Sequence, residues 1–166
     1  MRSVRIKFCG IKRKEDVLKA LELGVDYIGF ILYPKSPRYV SWEKLKELLS
    51  ISKGIKRVAV FVNPSYEEVK RAFDIGIDLV QLHGDESFDW NIAKSVVDAG
   101  FRVFLSGGLK PENVSSAIRM VRPYCVDVSS GIESSAGVKD HKKMEDFVRA
   151  VKLDLSEKFS KGVCYG

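Results

Sequence analysis

Two glycine-containing turns near the carboxyl end have the composition of an anion cradle. Leu105-Ser106-Gly107-Gly108-Leu109-Lys110-Pro111-Glu112-Asn113 joins a strand-like run to a helical one, and Val126-Asp127-Val128-Ser129-Ser130-Gly131-Ile132-Glu133 leads out of the last strand-like run. Glycine lets the backbone approach an anion and aim several N–H groups at it. A helix N-terminus behind such a turn adds positive partial charge. A single Gly-Gly pair reads as a tight turn, but two such turns in consecutive final units point to phosphate. Gly107, Gly108, Ser129, Ser130 and Gly131 are then its candidate ligands. Near the amino end, Cys9 follows Lys7 by two residues. A neighbouring ammonium favours thiolate, whereas a free cysteine is most often a small buried hydrophobe; from the residues alone both readings stand. Cys9, Cys125 and Cys164 are odd in number and scattered, so they form neither a disulfide framework nor a metal-ligand spacing.

Composition narrows the function classes. The 166 residues suffice for one domain with a real core, and 45% hydrophobic with 30% charged residues is ordinary for a soluble protein. No apolar run approaches the roughly 20 residues that span a bilayer. The basic start, Met1 to Lys7, is interrupted by Arg5 and Lys7 before any signal-peptide core forms, so a cytoplasmic protein is expected. The net charge of +6 suits an anionic ligand. The lysines alternate with Glu and Asp along helical stretches, as on a solvated surface, and nothing matches a nucleic-acid-binding module.

The elements that must position these residues recur at a regular interval. Strand-like runs at Val4–Cys9, Tyr27–Leu32, Arg57–Val62, Leu79–His83, Arg102–Leu105 and Cys125–Val128 start 23, 30, 22, 23 and 23 residues apart. Helical stretches follow each: Lys14–Leu23, Trp42–Ile51, Tyr66–Phe73, Trp90–Ala99, Pro111–Val121 and Lys142–Val151. This alternation predicts right-handed βαβ units on a parallel sheet. Pro111 is placed as a first-turn proline, and Gly24, Gly76 and Gly100 as helix C-caps. Val4, Ile6 and Phe8 alternate with Arg5, Lys7 and Cys9. Val126 and Val128 alternate with Cys125, Asp127 and Ser129, and Val80 and Leu82 with Gln81 and His83. One face is apolar, as required under helices; the other is polar toward the carboxyl end. A doubly wound sheet is covered on both faces and reads apolar throughout, whereas a barrel lumen holds polar residues at its mouth. The pattern therefore predicts an α/β chain of the TIM (β/α)8-barrel type with six βα units, two short of the usual eight.

Longer motifs carry a resemblance. Lys7-Phe8-Cys9-Gly10-Ile11-Lys12, Tyr27-Ile28-Gly29-Phe30 with Tyr33-Pro34-Lys35-Ser36-Pro37-Arg38-Tyr39, Val60-Phe61-Val62-Asn63 and Val80-Gln81-Leu82-His83-Gly84 follow in order. So do Ser106-Gly107-Gly108-Leu109 with Pro111-Glu112-Asn113-Val114, and Val126 to Glu133 with Gly137-Val138-Lys139-Asp140-His141. Six motifs in this order, reaching about Val151, resemble the phosphoribosylanthranilate isomerases of tryptophan biosynthesis. The resemblance implies an Amadori rearrangement: an aminated phosphoribose opens to an imine, loses the proton on its second carbon and becomes an aminoketose. A general acid assists ring opening and a general base takes the carbon-bound proton. No cofactor is implied, because the protonated imine is the electron sink. The resemblance assigns Cys9 as base, and Arg38 as the group gripping the anthranilate carboxylate through its planar fork. It makes Asp127 a substrate contact or a partner of Lys7 across the lumen, and gives Gly107, Gly108, Ser129, Ser130 and Gly131 the ribose phosphate. His83 is expected to line the site, with a purely structural histidine as the alternative. His141 and Cys125 are expected to be structural.

The resemblance breaks after His83-Gly84-Asp85-Glu86, where the chain passes directly to Phe88-Asp89-Trp90. About 40 residues, roughly two βα units of the usual barrel, have no counterpart. The family's acidic residue on its sixth strand is among them; Asp85 and Asp89 beside the junction are the substitutes at hand. A six-stranded sheet has open edges that something must close, a second copy being one candidate. Residues 1–152 are expected to form a single domain and 153–166 a tail. Three functions follow: the isomerase; a catalytically silent binding module for a phosphorylated metabolite; and a regulatory or nucleotide-binding doubly wound domain. The lack of Gly-x-Gly-x-x-Gly after the first strand argues against a dinucleotide in the last.

Overall fold

The structure, a computed structural model, describes residues 4–62, 64–82, 98 and 104–160. Six parallel strands form one sheet: β1 (Arg5–Cys9), β2 (Tyr27–Ile31), β3 (Lys56–Phe61), β4 (Leu79–Leu82), β5 (Phe104–Leu105) and β6 (Cys125–Val128). Their order is β4-β3-β2-β1-β6-β5. Neighbours in the sheet are neighbours in sequence, and the single exception joins the first strand to the last. That is the cyclic order of a barrel wall, not the reversal at a switch point that marks a doubly wound sheet. The barrel-type reading is therefore the one the topology carries.

The two faces divide as the period-two pattern requires. Ile6, Phe8, Ile28, Phe30, Val126 and Val128 face outward into one continuous apolar core. Helices α1 (Lys14–Leu23), α2 (Trp42–Ile51), α4 (Val114–Val121) and α5 (His141–Ser160) cover it. Phe8 is fully buried and meets Phe147 edge to face, with ring centroids 6.3 Å apart; a Phe in such a place contributes about 1.5–3 kcal/mol by leaving water. A smaller inner cluster of Cys9, Tyr27, Val58, Val60 and Cys125 lines the concave face. Cys125 is fully buried there, and burial pushes its thiol up, consistent with a packing role.

Local signals explain most boundaries. Ser41 caps α2 by accepting from the Lys44 N–H. Helix α3 (Tyr66–Asp74) opens with a reciprocal Ser65–Glu68 capping box, which satisfies two backbone donors that the helix itself cannot. Gly24 closes α1 at φ 65°. One boundary differs from the sequence reading. Helix α4 begins at Val114, and Pro111 lies in a turn before it. Asn113 accounts for this: its side chain accepts from the Lys110 N–H and donates to the Gly108 carbonyl, which holds the loop folded on itself for one more turn. The last helix runs past residue 153 to Ser160. After β6, a single 3-10 turn at Ser130–Ile132 leads into a short antiparallel hairpin, β7 (Glu133–Ser135) with β8 (Val138–Lys139). Gly137 turns this hairpin at φ 78°, and a Cβ there would lie 2.9 Å from Lys12 Cδ and 3.0 Å from the Pro37 carbonyl oxygen. The sequence reading left this hairpin out, yet it sets Glu133 opposite Lys139. The helix expected at Trp90–Ala99, its Gly100 cap and the tail cysteine Cys164 lie outside the described residues, the isolated position 98 apart.

Candidate active site

Strand register sets the centre of the site. Lys7 on β1 lies level with Asp127 on β6, and Val60 on β3 lies level with Gln81 on β4. Lys7 Nζ donates to Asp127 Oδ2 at 2.9 Å and to Gln81 Oε1 at 2.7 Å, spanning the concave face. The Lys7 side chain is 0% and that of Asp127 5% exposed, so this is a buried ion pair. Burial alone would lower the Lys7 pKa. The negative charge of Cys9 when ionised and of Asp127, with their hydrogen bonds, outweighs it, and Lys7 is held above the ordinary lysine value as an ammonium. Of the two sequence options for Asp127, the pairing with Lys7 is thus present. Its other oxygen, Oδ1, is buried and has no hydrogen-bond partner among the described residues. A buried carboxylate oxygen left this way is costly unless a ligand donor completes it.

Cys9 ends β1 on the same face, beside Gly29 of β2. A Cβ on Gly29 would lie 2.9 Å from Cys9 Sγ and 3.2 Å from Lys7 Cε, so glycine there leaves room for thiol and lysine stem together. Burial raises the Cys9 pKa above its ordinary value, while the Lys7 and Lys139 ammonium groups pull it down less strongly. The sequence reading expected the lysine to favour thiolate. That pull exists, but desolvation is larger.

The two glycine turns are in contact with each other. A Cβ on Gly131 would run into the Leu109 carbonyl oxygen and lie 3.0 Å from Lys110 Cα, so the β6 turn is seated against the turn that carries Gly107 and Gly108. Gly107 and Gly108 adopt φ 98° and 64°, backbone that a side chain strains. The cradle also touches the thiol strand: Ser129 Oγ donates to the Cys9 carbonyl at 3.2 Å. The Ser129 hydroxyl proton is therefore committed to the fold. Ser130 opens the 3-10 turn between Ser129 and Gly131.

Arg38 lies in the loop after β2, with its side chain 21% exposed. Its Nε and Nη2 donate to the two oxygens of Glu133, both at 2.8 Å. Gly10, at φ 75°, lets this side chain pass: a Cβ there would lie 2.6 Å from Arg38 Cδ and 3.1 Å from Ser129 Oγ. Lys139, paired with Glu133 across the hairpin, donates to Glu133 Oε1 at 2.8 Å and to the Ser129 carbonyl at 3.1 Å. Burial pushes the Glu133 carboxyl up, but the hydrogen bonds from Arg38 and Lys139 prevail and hold it below the ordinary glutamate value. Burial likewise lowers Lys139, and Glu133 offsets part of that.

The structure thus brings Cys9, Arg38, Asp127, Ser129, Ser130 and Gly131 to one end of the sheet, with the Gly107-Gly108 turn packed beside them. His83, Asp85 and Asp89 lie outside the described residues. His141 sits away from this centre: its Nε2 is 3.0 Å from Oδ1 of the buried Asp16, in a network that Arg13 completes with two hydrogen bonds to Asp16 and one to the Lys139 carbonyl. It joins α5 to α1. Sequence reasoning assigned no role to Gln81, Glu133 or Lys139. For Gln81 the signal was its place on the polar face of β4. For the other two it was the spacing across Ser134-Ser135-Ala136-Gly137, a hairpin turn that sets them opposite each other.

Comparison with known proteins adds independent observations. The family model described as N-(5'phosphoribosyl)anthranilate (PRA) isomerase matches residues 6–87 and 86–150. An N-(5'-phosphoribosyl)anthranilate isomerase of Aquifex aeolicus is 40% identical, covering 91% of this chain and 100% of that protein. One of Thermotoga neapolitana is 38% identical, covering 90% and 98%. The first alignment runs to 203 positions, although 91% of 166 residues is only about 151; some 50 of its positions therefore have no residue of this chain. The two matched segments of the family model meet at residues 86–87. Among solved structures, monomers generated from the dimeric Thermotoga maritima enzyme superpose with a TM-score of 0.83 at 36% identity, covering 90% of this chain and 98% of that one. A phosphoribosyl anthranilate isomerase in complex with reduced 1-(o-carboxyphenylamino)-1-deoxyribulose 5-phosphate gives 0.82 at 36% identity, with the same coverage.

Proposed function

The chain belongs to the N-(5'-phosphoribosyl)anthranilate isomerase family, and from that premise we propose that it performs the family's rearrangement through Cys9, with Arg38, Asp127 and the two glycine turns holding the substrate. The observation that carries this reading is the convergence on one end of the sheet of a thiol, a guanidinium and two adjoining glycine turns. Ser129 contacts the Cys9 strand at 3.2 Å, and Arg38 packs across Gly10.

The chemistry assigns each group a task. The backbone N–H groups around Gly107, Gly108, Ser130 and Gly131 take the ribose phosphate. Asp127 Oδ1, buried without a donor among the described residues, accepts from a sugar hydroxyl. The end of the Arg38 guanidinium not used by Glu133 takes the anthranilate carboxylate. Ring opening transfers a proton to the furanose oxygen and leaves a protonated imine. The Cys9 thiolate then removes the proton from the sugar's second carbon, the electron pair moves toward the imine nitrogen, and the enolamine tautomerises to the aminoketose. The ring-opening proton donor is left unassigned among the described residues. We also propose that the 86–87 junction marks a segment of the family barrel that this chain lacks, supported by the two-piece match and the longer alignment.

The test is Cys9→Ala, followed by the fluorescence change on loss of substrate. Removing a general base costs about 10²–10⁴-fold in rate, while binding of the reduced product should persist. Full activity in a folded Cys9→Ala protein would refute the assignment. Binding without turnover in the unaltered chain would favour the silent module instead.

A further inference from the structure

The Arg38 guanidinium is spoken for on one side and open on the other. Glu133 accepts from Nε and Nη2, the side-on edge of the group. The end-on fork formed by Nη1 and the second Nη2 hydrogen stays unused among the described residues. Glu133 is itself immobilised. Its side chain is 4% exposed, Lys139 Nζ donates to its Oε1, and Lys143 Nζ donates to its carbonyl at 2.8 Å. Lys139, with a side chain 0% exposed, also holds the Ser129 carbonyl of the phosphate turn. A long arginine on a loop would otherwise sample many rotamers, each equally able to meet solvent. Here a buried carboxylate chooses one.

We propose that Glu133 is the positioning residue that sets carboxylate specificity: it clamps the side-on edge of Arg38 so that the end-on fork faces the ligand, and through Lys139 it fixes the distance between that fork and the phosphate turn. The inference rests on the reading of Arg38 as the carboxylate grip. Glu133 touches neither ligand carboxylate nor reacting atoms. It also offsets one of the two cations it joins, leaving the Arg38–Glu133–Lys139 cluster with one net positive charge for an anionic ligand.

The test measures, by calorimetry on the full chain, affinity for two probes: reduced 1-(o-carboxyphenylamino)-1-deoxyribulose 5-phosphate and its phenylamino congener lacking the carboxyl group. The ratio of the two affinities reports carboxylate recognition alone, and hydrogen bonds between charged groups make a ratio of about tenfold or more expected in the unaltered chain. Glu133→Gln is expected to reduce that ratio about fivefold or more, with affinity for the congener nearly unchanged. Glu133→Asp, which keeps the charge and withdraws the clamp by one methylene, should give an intermediate ratio. If Glu133→Gln fails to fold, Glu133→Asp and the paired Glu133→Met/Lys139→Met variant, which removes the buried lysine together with its carboxylate partner, carry the same comparison. Equal losses for both probes would mean a structural part only and would overturn the proposal. Arg38→Ala separates the two levels. If it leaves the ratio intact, the carboxylate reading of Arg38 fails and the proposal with it. If it abolishes the ratio while the Glu133 variants keep it, the Glu133 proposal alone falls.

Discussion

The Lys7–Asp127 pair offers the sharpest quantitative test of the interior. Both side chains are almost wholly buried, and their 2.9 Å contact crosses from β1 to β6, the one junction in the sheet between strands distant in sequence. Lys7→Met would leave the Asp127 carboxylate with Gln81 Nε2 at 3.5 Å as its remaining described donor, and with Oδ1 unpartnered as before. Removing one member of a buried pair costs about 3–5 kcal/mol, because the survivor keeps its desolvation penalty without its partner. Asp127→Leu strands the Lys7 ammonium and should cost a similar amount. The pair replaced together, Lys7→Met with Asp127→Leu, leaves an apolar patch beside Val58 and Val60 of the inner cluster. Such replacements are close to neutral or stabilising. The two single losses should therefore not add: the double variant should recover about 3 kcal/mol or more relative to their sum. Urea unfolding reads this directly. With a slope of about 2 kcal/mol/M, each single variant should lose about 1.5–2.5 M in midpoint, and the double variant should fall within about 1 M of the original. Losses that add to within about 0.5 kcal/mol would mean that the pair is not coupled, and the account of the site's centre would fail.

Other outcomes follow from the same geometry. Gly131→Ala places a methyl against the Leu109 carbonyl; backbone must shift, so phosphate-dependent affinity for the reduced product should drop about tenfold or more, as a misplaced cradle loses one or two charged hydrogen bonds, and unchanged affinity would separate the two turns functionally. Because burial holds the Cys9 thiol above its ordinary value of 9.0, the base is mostly protonated at neutral pH. The kcat/KM of the free protein should then climb with pH beyond 9, and a plateau reached below pH 8 would contradict this. Glu133 is depressed below its ordinary value of 4.5. Its contribution to stability is complete above that pH and lost as pH falls through the lower, folded value. Thermal melts of the unaltered chain and Glu133→Gln should accordingly converge on acidification from pH 5, and parallel curves would refute the assignment.

How far the site could be read from the chain depends on the range of each contact. The period-two alternation in β1 and β6 is local, and it placed Lys7, Cys9 and Asp127 on one face before any pairing was known. Glycine turns are local as well, since a positive φ at Gly107 and Gly108 is a property of a few residues. The parallel sheet followed from the regular alternation of strand and helix, and the barrel-type reading from the polar face of its strands. Arg38 and Glu133 lie 95 residues apart, and their meeting depends on a two-stranded hairpin whose short strands, Glu133–Ser135 and Val138–Lys139, carry almost no periodicity. The start of α4 was displaced for a different, local reason: Pro111 satisfies the first-turn rule, but the Asn113 side chain binds the Lys110 N–H and the Gly108 carbonyl and holds the turn before the helix. The balance of effects on Cys9 is likewise a sum over its surroundings, and the nearby lysine showed only one side of it.

The arrangement of the sheet bears on what a shortened member of this family can retain. The described site residues come from β1, the loop after β2, β4, β6, the hairpin and the turn after β5, and β1, β2 and β6 are direct neighbours. Lys7 bridges β1 to β6, Ser129 ties the β6 turn to Cys9, and Arg38 ties the β2 loop to the hairpin. Each of these contacts closes within that adjacent wall, without any bond between β4 and β5. The residues proposed to hold phosphate and carboxylate therefore sit on a continuous stretch of sheet that the junction near residue 86 does not interrupt. Of the tasks in the proposed reaction, ring-opening proton transfer has no assigned residue among the described ones on that wall. On the proposed reading, ligand affinity should therefore depend on β1, β2, β6, the hairpin and the turn after β5, whereas turnover should require Cys9 of β1 together with a ring-opening proton donor.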